Sequence, residues 1–137
     1  MRSALLLFFF GIVFCPYVTA KEYALIAHPN TPPLNLKQIR AIYLKKLSRI
    51  DNIALVPLNL GAKDPLRQRF ERHILHMSFQ RLKSYWSQQH YLGHRPPLSM
   101  KSQQSLLSFV KHVEGAIAYI DACNIDNGVQ VLYRWSD

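Results

Sequence analysis

The sequence predicts an α/β domain built on a mixed central sheet flanked by helices. Short apolar runs at 23–27, 53–58 and 116–120 are free of charge and of strand length. Between them, apolar residues recur three and four positions apart, the period of a helix with one buried face. Clusters of Pro, Asn, Asp and Gly separate the two kinds of segment, and strands that alternate with helices fold as α/β layers.

The elements follow in order. Residues 23–27 form a buried strand, broken by the Pro- and Asn-rich run 28–33, because Pro lacks a donor and restricts the residue before it. Leu36, Ile39, Tyr43 and Leu47 mark a first helix over about 36–46. Asp51-Asn52 is a turn, and residues 53–58 are a second strand with Pro57 in it, so at least one end of that strand is not fully paired. Asp64-Pro65 is the clearest local signal in the chain. Asp is a favoured N-cap, and Pro in the first helical position loses only a donor that would be orphaned anyway. Leu66, Phe70, Ile74 and Met77 are the inward stripe of the helix that follows. Ser78 caps a third helix facing inward through Phe79, Leu82 and Trp86, ended by Gly93 and Pro96-Pro97. Ser102 or a neighbour caps a fourth, with Leu106, Phe109, Val110 and Val113 inward. Gly115 stops that helix, and residues 116–120 are a strand. Asn127-Gly128 is a hairpin-type turn that would bring 129–133 back antiparallel to it.

The first twenty residues read as a signal peptide. Arg2 supplies the positive start, Leu5 to Phe14 are ten unbroken apolar residues, and Val18-Thr19-Ala20 fits a cleavage site. Ten apolar residues fall short of the roughly 20 of a stable span. Cleavage after Ala20 predicts an exported, periplasmic chain with no membrane span after processing. The rival, a lipid anchor on Cys15, suffers from bulky Phe14 before the cysteine. Processing leaves Cys123 without an intrachain disulfide partner, and after an apolar run it reads as a small buried hydrophobe. The remaining 117 residues suffice for one domain, since each lobe of a two-lobed protein needs a core of roughly 100 residues.

Charge is unevenly spread. The chain carries a formal +9, and nearly all of it lies between Lys37 and Lys83, where eleven bases meet three acids. Such a half attracts anions, and an anionic solute, an anionic envelope polymer or lipid surface, and a simple solubility effect all stay open. Export, and the absence of aromatic residues interleaved with the bases, argue against nucleic acid. His73 and His76, and His90 and His94, have helical spacing, yet neither pair has the third and fourth ligands zinc needs, so no metal is expected. No nucleophile motif, phosphate-cradling Gly-rich loop or carboxylate pair is present, so no catalytic residues, enzyme activity or cofactor are assigned. The candidate site is the start of the second helix, where backbone donors and the helix dipole suit an anion. Lys63 and Arg67 would clamp the anion there, although Asp64 would place its own carboxylate in the same position.

Several segments together resemble one lobe of the phosphate-binding proteins of ABC importers, of the type II periplasmic binding protein class. Ile42-Tyr43-Leu44-Lys45-Lys46 is similar to the family's Ile-Phe-Leu-Gly-Lys helix end. Asp64-Pro65-Leu66-Arg67-Gln68-Arg69-Phe70 stands where the family opens a helix with Arg and Phe. Trp86, Tyr91, Gly93 and Pro96-Pro97 match the run found in short members, and Gly115-Ala116-Ile117-Ala118-Tyr119 matches the closing Gly-Ala-Ile-Gly-Tyr. The resemblance covers about 23–120. It implies a non-catalytic substrate-binding protein for phosphate or a similar anion, held by Lys63, Arg67 and the backbone of Leu66, with Asn30 of the first loop as a further partner. Two departures stand against that function. Ala62-Lys63-Asp64-Pro65 replaces the Ser-Gly-Thr-type loop that holds the anion in relatives, and the second lobe is absent. A second reading therefore stays open: an accessory module that kept the lobe, lost the ligand, and docks on an envelope transporter or sensor or pairs with itself as a homodimer.

Overall fold

The computed structural model describes residues 21–136; the expected signal peptide and the rival anchor at Cys15 lie outside the described residues. The central sheet has five strands in the order β5-β4-β6-β1-β7, where β1 is Glu22–Ala27, β4 Val56–Leu60, β5 Leu98–Met100, β6 Ala116–Asp121 and β7 Gln130–Ser136. The two remaining strands, β2 (Arg49–Ile50) and β3 (Ile53–Ala54), form a small separate hairpin. β4 runs parallel to β5 and β6, and β1 runs antiparallel to β6 and β7, so the sheet is mixed. β1 and β6 lie inside it and are buried at all but one position each, which is why both read as unbroken apolar runs.

Helices α1 (Leu36–Tyr43), α2 (Pro65–Phe70), α3 (Phe79–Tyr91) and α4 (Gln103–His112) connect the strands. Asn35 and Gln38 close a reciprocal capping box at the start of α1, and Ile39, Ile42 and Tyr43 are its buried face. The helix stops three residues before the expected end, because Lys45 takes a left-handed backbone. Tyr43 Oη donates to Leu58 O at 2.9 Å, with Ile117 O at 3.2 Å, tying α1 to β4 and β6. Asp64, Ser78 and Ser102 cap their helices as the sequence indicates.

Several expectations are corrected. Asp51 and Asn52 both have positive φ, the two-residue turn of a hairpin, so the expected strand 53–58 is split into β3, which pairs back on β2, and then β4. The run after Asp64 is α-helical only to Phe70, continues as a π-turn over Glu71–Leu75, and ends at His76 with φ 53°. Phe79 does not face inward: it is exposed, and Leu82 is the buried residue of α3. Cys123 is exposed. The last strand does not pair with β6. Residues 122–129 run back along the sheet, with Lys111 and Asp126 paired across them, and β7 docks antiparallel on β1 from Ala27↔Gln130 to Glu22↔Ser136.

Candidate functional site

The β4–α2 connection leaves the sheet at Leu60 and turns at once, with Asp64 N–H donating to Gly61 O at 3.0 Å. Asp64 Oδ1 then accepts from Leu66 N–H at 2.9 Å, and Pro65 has no donor to offer. Arg67, one turn into α2, folds its side chain back over the strand end. Its Nη1 donates to Leu60 O at 2.9 Å and reaches Ser99 Oγ of β5 at 3.4 Å, and its Nε donates to Glu71 Oε1 at 3.3 Å. Beneath it, Tyr119 Oη donates to Asn59 Oδ1 at 2.9 Å and accepts from Leu60 N–H at 3.1 Å. This buried network pins the C-terminal end of β4 to β5, β6 and α2.

Burial pushes the Tyr119 hydroxyl far above its ordinary value, so it stays a neutral donor. Burial also raises the Glu71 carboxyl above its ordinary 4.5, and the Arg67 guanidinium offsets part of that rise. A raised value means the folded chain holds the proton more tightly than the unfolded one. The Glu71 contribution therefore favours folding at or below the ordinary value and is lost as pH climbs through the raised one. Glu71→Gln removes this component. We expect the urea midpoint of the wild type, relative to the variant, to fall between about pH 4 and pH 7. A difference that stays constant over that range would contradict the buried carboxyl.

Of the four residues expected to hold an anion, the structure brings three together. Lys63 is exposed on the turn, Leu66 is buried with its N–H spent on Asp64, and Arg67 faces inward. Asn30 lies at the other end of the sheet. Ala27, at the end of β1, and Pro57, near the start of β4, both pair with Ile117. Leu60 is three residues further along β4, about 10 Å away, and the two loops diverge from there. Asn30 N–H donates instead to His28 Nδ1. Of the network residues, Asn59, Glu71 and Ser99 are not among the expected site residues, and Tyr119 enters the sequence reading only as the end of the closing motif 115–119. Asn59, a polar residue inside an apolar strand, was the available signal.

No family model matches the sequence, and no curated protein matches it. Solved structures do. One is described as a phosphate ABC transporter substrate-binding protein from Clostridium perfringens with bound phosphate. It is 24% identical, has a TM-score of 0.64, and is matched over 82% of this chain and 45% of its own. Another, an ABC-type phosphate transport receptor from Vibrio cholerae, is 14% identical at a TM-score of 0.64, matched over 82% of this chain and 46% of its own. The chain spans about half the length of the solved proteins it matches. Its fold is that of a single lobe of phosphate substrate-binding proteins.

Proposed function

We propose that the chain is an exported, non-catalytic binding module: one lobe of this fold, using the β4–α2 end for recognition without holding a free inorganic anion there. One observation carries the reading. Two of the groups expected to hold the anion are engaged inside the chain, Leu66 N–H with Asp64 and Arg67 with Leu60, Ser99 and Glu71. A phosphate entering this loop would meet the Asp64 carboxylate and would have to break the Arg67 contacts, and buried ion pairs are costly to break. Export rests on Arg2, the apolar run to Phe14 and the site at Ala20.

The test takes the chain secreted from its full-length gene, with intact mass giving Lys21 as the first residue. Isothermal titration with phosphate and sulfate should then show no saturable heat at millimolar ligand. A second reading, a solute binder for phosphate, is favoured by the Clostridium perfringens neighbour with its bound phosphate and by exposed Lys63 on the loop. Saturable heat that Lys63→Ala weakens would select it. A chain retained in the cytoplasm and still beginning at Met1 would remove export from either reading.

A further inference from the structure

Beside the β4–α2 loop, α2 and its π-turn face the start of α3 across a half-enclosed cavity of about 820 Å³. Sites for drug-sized molecules occupy roughly 300–1,000 Å³. Ala62, Met77 and Phe79 form the apolar part of the wall, and Lys63 and Arg72 the cationic part. The acid on the wall is Glu71, already paired with Arg67. His76, also on the wall, has its Nε2 3.1 Å from Arg40 Nη2, which brings a further cation close by. Phe79 is 61% exposed at the first position of α3, a large apolar ring at a cavity mouth with its surface open to solvent.

The geometry points to a site for a small anionic amphiphile: one carboxylate, sulfonate or phosphate-monoester group on an aromatic or alkyl stem. The head lies between Lys63 and Arg72, and the stem covers Phe79 and Met77. Charge complementarity chooses the head, because Lys63 and Arg72 on the wall have no acid paired with them among the described residues. The apolar rim chooses the stem, because an inorganic anion would leave Phe79 and Met77 exposed. The concavity favours one soluble molecule over a lipid surface, which apolar side chains protruding from a convex face would suit better. This deepens the reading above and rests on it for assigning recognition, not reaction, to this end of the molecule.

The probe is 8-anilinonaphthalene-1-sulfonate, titrated into the folded mature chain, with near-UV circular dichroism as the check on packing. Saturable one-to-one fluorescence enhancement is expected, displaced by monomeric octyl phosphate and not by inorganic phosphate at equal concentration. Arg72→Glu and Phe79→Ser, both at exposed positions, should each weaken binding by about tenfold or more. Arg95→Glu, beyond the far end of the 13-residue α3 and so about 20 Å away, should leave it unchanged. Absent or unsaturable enhancement overturns the site, as does equal binding by the Arg72 and Phe79 variants. Binding confined to phosphatidylglycerol vesicles overturns the soluble ligand. Failure here with silent phosphate calorimetry removes this site alone, whereas heat from inorganic phosphate removes the reading it rests on.

Discussion

Gly115→Ala is expected to prevent stable folding, with a loss of about 4 kcal/mol or more, from a total that for such domains is about 5–15 kcal/mol. Gly115 has φ +83°, a left-handed backbone that costs residues with a Cβ about 1–2 kcal/mol. A Cβ there would also be driven into the backbone carbonyl of Ala54, with Ile53 Cγ2 at 3.2 Å. Neither side can yield easily. Leu55 N–H donates to Ser48 O, and Val56 N–H donates to Gly115 O at 2.8 Å, the contact that starts the β4–β6 ladder. Urea unfolding, or soluble yield where the variant does not fold, reads the effect. Gly61→Ala is the control, because nothing lies within 4 Å of its added Cβ, and it should change stability by less than about 0.5 kcal/mol. A Gly115→Ala midpoint equal to the wild type would refute the close approach.

Phe70→Ala is the second large effect, expected at about 3–5 kcal/mol. Phe70 is fully buried, stacked on Tyr119 with ring centroids 4.1 Å apart and planes 13° apart, and tilted against Tyr43 at 4.6 Å. Those two rings send their hydroxyls to β4, Tyr43 to Leu58 in its middle and Tyr119 to Leu60 at its end, so the Phe70 ring is the wedge between α2 and the sheet. α2 has only six residues and cannot persist without that packing. Loss of the ring should therefore loosen Arg67 and the β4–α2 loop with it. Near-UV circular dichroism should lose aromatic signal, amide exchange at Leu66 should accelerate, and Phe70→Leu should cost far less. A variant with an unchanged urea midpoint would mean that the stack contributes nothing.

Both effects fall at positions marked in the sequence, for different reasons than the sequence indicates. Gly115 reads there as a helix stop, whereas its larger constraint is the backbone of Ala54 in a hairpin far away in the chain. Phe70 reads as one member of an inward stripe, and only the packed structure sets its ring flat on Tyr119.

Capping and periodicity are interactions within a few residues, so the local sequence carries them. Asp64-Pro65, Ser78 and Ser102 place three helix starts, and the apolar runs at 23–27 and 116–120 place two inner strands. The Asp51-Asn52 turn is legible in the sequence, but β2 and β3, two residues each, offer no alternation to read, and their pairing across that turn is seen only in the structure. Site legibility divides the same way. Lys63, Leu66 and Arg67 are neighbours in the chain and stayed neighbours in space, while Asn30 was separated from them by the antiparallel direction of β1.

The order of residues alone specifies an α/β chain, its helix starts, two of its inner strands and the concentration of positive charge in one half. Long-range packing sets which strand β7 joins, turns Arg67 inward to Leu60, Ser99 and Glu71, and puts Phe79 on the wall of a cavity. Strand partners, guanidinium acceptors and side-chain exposure are set by groups distant along the chain, and no local spacing records where those groups come to rest.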